Sequence, residues 1–122
     1  QSGINFFVNY QGGVFATSKS FFITNPTKEG FKLRHGSLEG PENGVYFRGK
    51  TSERKIHLPE TWRWLVDINT VTINLTSTCG DDLYVKSMRN DSFEVENVSC
   101  EYSYIVYGER KDIDKMDIDI QN

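Results

Sequence analysis

The stretch Thr70-Val71-Thr72-Ile73-Asn74-Leu75-Thr76 decides the fold class. Val71, Ile73 and Leu75 fall on one side of an extended chain, and Thr72, Asn74 and Thr76 on the other, because strand side chains alternate with a period of two. A helix would scatter the three apolar residues around its axis. Five of the seven residues are β-branched, the type that packs well on a pleated, half-buried surface. The segment reads as a strand with one face covered.

Working outward, the same alternation recurs. Leu83 and Val85 repeat it, then Phe93 and Val95 after the turn formers Arg89-Asn90-Asp91, which predicts a meander of antiparallel strands. Tyr102-Ser103-Tyr104-Ile105-Val106-Tyr107 is apolar or aromatic on both faces, so a strand covered on both sides is expected, central to its sheet or pressed on a neighbouring subunit. Upstream, residues 14–23, 31–34, 45–48 and 55–58 are further strands. Their separators are turn-forming runs at 25–30 and 39–44, with Asn43-Gly44 a two-residue turn signal. About eight short strands spaced this way predict an all-β chain, a single antiparallel sandwich or barrel-like domain.

One segment departs from the pattern. Residues 59–66 predict a short helical turn with Pro59 near its start, where Trp62 and Leu65, three apart, cap an open end of the sheet. Ile4-Asn5-Phe6-Phe7-Val8 is apolar with no partner nearby in sequence, which predicts a lone strand docking on another chain. The organisation expected is a connecting strand over 1–17, a β domain over 18–115 and an acidic tail over 116–122. Gln1-Ser2-Gly3 reads as the cut end of a longer polypeptide.

The totals set the bounds. A chain of 122 residues has room for one core, and eight Phe, six Tyr and two Trp argue against disorder. A net charge of -3 supplies no basic field for nucleic acid. No apolar run approaches the roughly eighteen residues of a membrane helix. Cys79 and Cys100 are too few for a disulfide framework. A bridge between them is geometrically open, but two buried thiols acting as small hydrophobes are the expectation. Neither has CxxC spacing or a histidine close in sequence, so no zinc site and no cofactor are implied. In the last residues Asp112, Asp114, Asp117 and Asp119 alternate with Ile113, Ile118 and Ile120. A terminal edge strand whose charges discourage aggregation is expected; a calcium loop would need the glycine and terminal glutamate that are missing here.

The run Arg34-His35-Gly36-Ser37-Leu38-Glu39-Gly40-Pro41-Glu42 gathers a histidine, a serine and two carboxylates, and His35 and Ser37 share a face of an extended strand. Ser37 stands in no GxSxG elbow, however, and no oxyanion hole is evident. The run therefore reads as a structural loop, and the chain as no enzyme. His57 falls on the polar side of its strand. Gln11-Gly12-Gly13 lacks the lysine and helix of a phosphate loop. The sequons at Asn74, Asn90 and Asn97 bear only on a secreted eukaryotic protein. The aromatics Tyr10, Tyr46, Trp62, Trp64 and Tyr84 fit a subunit interface, or a platform on which a sugar ring stacks.

The motifs Lys19-Ser20-Phe21, Leu38-Glu39-Gly40-Pro41-Glu42, Gly44-Val45-Tyr46 with Arg48-Gly49, Leu58-Pro59 and the closing Tyr107-Gly108-Glu109-Arg110-Lys111-Asp112 carry a resemblance. Over 18–115 the chain resembles a domain of tail fibres and other structural proteins of tailed phages, particularly marine and cyanobacterial myoviruses. The resemblance implies a non-catalytic virion module, homotrimeric within a longer fibre and in contact with other tail proteins. Host-surface polysaccharide binding is the second role. It also implies that Gly36, Gly40, Pro41 and Gly44 shape a loop, with Arg48 and Arg110 as partners for Glu39, Glu42 or Asp112.

Overall fold

The computed structural model describes residues 6–8, 14–16, 20–36, 39–115 and 117–121, those up to Ser20 as backbone only. The described residues form ten strands and one short helix. In chain order these are β1 (Phe6–Val8), β2 (Val14–Ala16), β3 (Ser20–Thr24), β4 (Lys32–Gly36), β5 (Gly44–Thr51), β6 (Lys55–His57), α1 (Trp62–Leu65), β7 (Val66–Ser77), β8 (Tyr84–Met88), β9 (Ser92–Glu96) and β10 (Tyr102–Arg110). Every ladder is antiparallel, so the all-β class is as the alternation indicates. The chain divides into two compact units, residues 1–37 and 38–122.

The first unit consists of hairpins. β1 pairs with β2, Phe6 opposite Ala16, so the N-terminal apolar strand is not lone as expected; its partner is the segment Val14–Ala16. The predicted strand over 14–23 covers β2 and β3, which pair in different ladders, while residues 17–19 lie outside the described residues. β3 pairs with β4, Phe21 opposite His35 and Ile23 opposite Leu33. The turn between them follows from its residues. Asn25 Oδ1 accepts from the backbone amides of Thr27 at 2.9 Å and Lys28 at 3.0 Å, and Gly30 takes a φ of +82° that other residues adopt only with strain.

The second unit places two three-stranded sheets around one core, in orders β5-β10-β7 and β6-β9-β8. β10 is the central strand of the first sheet, as its two-sided apolar character requires. The meander expected for 70–95 is corrected: β7 pairs with β10, whereas β8 pairs with β9 in the other sheet. Asn43-Gly44 closes no hairpin either, because β5 pairs with β10 instead of β4. Val45, Tyr102 and Val106 from the first sheet, Ile56, Phe93 and Val95 from the second, and Trp62 and Leu65 from α1 are all buried. Four rings join these layers: Trp62 meets Phe47 edge-on at 5.1 Å, Phe47 meets Tyr104 at 5.9 Å, and Tyr104 meets Phe93 at 6.4 Å. Edge-to-face packing of this kind stabilises beyond what the buried area of the rings contributes.

Where β10 passes α1 its register against β7 shifts between Tyr107 and Glu109. Gly108 sits at that irregularity, and a Cβ there would run into Val66 Cγ1. Thr70 completes the local bonding, accepting at Oγ1 from the Glu109 amide at 2.9 Å and donating to the Asp67 carbonyl at 2.6 Å.

Two further expectations are overturned. Cys79 and Cys100 are not buried thiols. They form a disulfide, with Cα atoms 6.5 Å apart, and Cys79 is exposed. Each falls just beyond a strand end, where the loops after β7 and β9 meet. The tail forms no strand among its described residues: after Arg110 the chain is irregular and exposed. Both edges of β10 are already taken by β5 and β7, so alternation in the tail meets no free edge there.

Candidate functional site

Four segments of the second unit enclose an open cleft of about 800 Å³ beside α1. Its floor is apolar: Leu58, Trp62 and Val66 are buried, with Pro59 and Ile68 half-buried beside them. Its rim is charged and exposed, comprising Arg63, Arg89 and Lys111 with Glu60, Asp91 and Asn90. Backbone hydrogen bonds fix the walls. The Leu58 amide donates to the Asp91 carbonyl at 2.9 Å, tying the end of β6 to the β8–β9 turn. The Lys111 amide donates to the Leu65 carbonyl at 2.8 Å, tying the exit of β10 to α1. The Trp62 amide donates to the Pro59 carbonyl at 2.9 Å and starts the helical turn. Arg63 lies over the Trp64 ring, 5.4 Å from its centroid. None of Arg63, Arg89 and Lys111 is in an ion pair with a described residue. Sequence reasoning marked Arg89-Asn90-Asp91 only as a turn and Lys111 only as part of a closing motif. Nothing in the spacing of 58, 89 and 111 shows that they meet.

The aromatic set named from sequence does not assemble into one platform. Trp62 is only 3% exposed, a core residue and not a surface ring, because Trp62 and Leu65 point inward from α1. Trp64 is exposed on α1, Tyr46 on β5 and Tyr84 on β8, an edge of the other sheet. Tyr46 faces Tyr107 across the ladder at 6.3 Å. Tyr10 lies outside the described residues, as does Ser37.

The loop residues fare differently. Glu39, Gly40, Pro41, Glu42 and Gly44 border a small hollow of about 140 Å³ with Val45 and Tyr107, while Gly36 ends β4 in the first unit. Arg110 grips Asp112 with two bonds, Nε to Oδ1 at 2.8 Å and Nη2 to Oδ2 at 2.6 Å. That fork holds the Asp112 carboxyl below the usual carboxylate range. Arg48 is exposed and makes no ion pair with a described residue. His35 stacks beside Phe21 at 4.8 Å, and His57 is exposed on β6.

Among the described residues, Cys79, Asp81 and Cys100 bring potential ligand atoms within 4.8 Å of one another. The two sulfurs are covalently joined, and a disulfide offers no thiolate to a metal. Asp81 accepts instead from the Ser99 hydroxyl at 2.5 Å and the Ser99 amide at 2.9 Å, which lowers its carboxyl from the ordinary value. Cys100 Sγ is 3.6 Å from Asp81 Oδ2, a packing contact, since a disulfide sulfur has no proton to donate. The cluster staples two loops.

Comparison with protein-family models, with curated proteins and with solved structures finds no match to this chain.

Proposed function

We propose that the chain is a structural, non-catalytic β module of a virion appendage, a tail fibre or related tail or neck part, that works as a homotrimer. The observation that carries self-association is in the first unit. Among its described side chains, residues 21–36, none is buried. Phe22 is 64% exposed and Phe31 62% exposed. An isolated two-stranded hairpin is marginal in water and needs further strands or another packed element against its apolar face. Each Phe brought under cover contributes about 1.5–3 kcal/mol, so copies that pack these hairpins together gain where the lone chain does not. The outer face of the β5-β10-β7 sheet, with exposed Tyr46 beside half-buried Ile105 and Tyr107, offers a second surface of the same character. The phage setting and the number of three rest on the resemblance over 18–115.

Electron microscopy of purified virions labelled with antibody against residues 39–115 tests the placement. Label on a tail or neck appendage is the expected outcome. Label confined to the capsid shell, or to no part of the particle, contradicts it. Substituting Phe22→Ser with Phe31→Ser tests association separately. Both side chains are exposed in the single chain, so the fold of the second unit survives while the oligomer dissociates. An oligomer that tolerates both changes argues that these hairpins are not the interface.

A further inference from the structure

The geometry points to the cleft beside α1 as a binding site for an acidic saccharide, through the juxtaposition of three unpaired cations with two carboxylates over an apolar floor. This goes beyond the assembly reading and does not rest on it. Arg63, Arg89 and Lys111 come from three separate segments, α1, the β8–β9 turn and the exit of β10, yet line one cleft. In a chain of net charge -3, three exposed cations gather in one cleft with no ion pair to a described residue, so their donors are open to a ligand. An anion held by them, an arginine fork above all, gains charge-assisted bonds.

The rest of the lining narrows the ligand. A bare anion such as phosphate would be repelled by Glu60 and Asp91, which share the rim. Those carboxylates accept hydrogen bonds only, so they suit a ligand that also donates, through hydroxyl groups. Asn90 adds both a donor and an acceptor. Leu58, Pro59 and Ile68 supply a floor for the CH face of a ring. A uronic acid or similar acidic sugar carries a carboxylate, several hydroxyls and an apolar ring face together, and so matches each part of this lining. The volume, about 800 Å³, suits a few rings and lies within the range of small-ligand clefts. The walls are already tied by the backbone bonds of Leu58 and Lys111, so little ordering opposes binding.

The test is calorimetric titration of the full chain with trigalacturonate, against neutral galactotriose, inorganic phosphate and triglutamate. Binding of trigalacturonate with no measurable heat from the other three is the expected result. Arg89→Gln and Lys111→Gln, both exposed, should each weaken it about tenfold or more, as loss of a charge-assisted bond does, whereas Arg48→Gln on the exposed side of β5 should leave it unchanged. Circular dichroism confirms that each variant is folded. Equal binding of galactotriose would remove the role of the cations. Equal binding of phosphate would make this a plain anion site, and equal binding of triglutamate a peptide site. Absence of trigalacturonate binding, or affinity unaffected by Arg89→Gln and Lys111→Gln, overturns the proposal.

Discussion

Tyr102 shows how one residue joins the two sheets. It is wholly buried in β10, and its hydroxyl donates to the Glu53 carbonyl at 2.6 Å, which anchors the β5–β6 connection. Burial first, then Tyr104 and Glu53 nearby, push its phenol above the ordinary range. A group whose folded value is raised stabilises fully below its unfolded value, about pH 10 for tyrosine, and loses that contribution as pH rises through the folded value. Tyr102→Phe is therefore expected to cost about 1 kcal/mol at neutral pH and to blunt the alkaline loss of stability, both read from urea unfolding. Gly108→Ala is expected to cost more, about 1–3 kcal/mol by overpacking, since its Cβ meets Val66 with Trp62 and Val71 close behind. The sequence shows Tyr102 as apolar strand material. It does not show that Gly108 lies against α1, because that contact spans more than forty residues of chain.

At the scale of elements, the disulfide is the chief departure from expectation. Two cysteines at strand ends, 21 residues apart, carry no local signal for pairing. Pairing depends on β7 and β10 lying side by side, so that the loops that follow β7 and precede β10 converge. Closing such a loop in the unfolded chain is worth about 3 kcal/mol, and Cys79→Ser with Cys100→Ser should lower the thermal midpoint accordingly. Reduction should do the same in the unsubstituted protein. Asp81 braces the same junction. Its carboxyl is lowered first by the Ser99 hydroxyl, then by the Ser99 amide, with burial opposing. That contribution is present above the unfolded carboxylate value, about pH 4, and is lost as pH falls through the folded one. Asp81→Asn should flatten the decline of the thermal midpoint as the pH falls below about 4. The strands themselves were legible because period two and turn chemistry are local. Val71 to Thr76 alternates half-buried and exposed along β7 as read, while Thr70, bonded to Asp67 and Glu109, is half-buried beside Val71. Which strands pair was not legible, because β10 was claimed by β5 and β7 across long stretches of chain.

At the scale of the whole molecule, the two units differ in what they lack. The second has a core drawn from two sheets and a helix, and a cleft whose three cations form no ion pair with a described residue. The first has hairpins with no buried side chain among residues 21–36. Of the candidate site, Trp62 and the 39–44 loop were visible as motifs, but the cleft was not, since its cations come from three distant segments. Exposed apolar hairpins would gain from cover, and the proposed self-association would supply it in identical copies. The most direct measurement is sedimentation equilibrium of the full chain at micromolar concentration. A species of three times the 14.0 kDa chain mass is the expected result, with Phe22→Ser and Phe31→Ser together returning it towards the single chain. A stable monomer at that concentration would contradict the reading of this chain as a trimerising module.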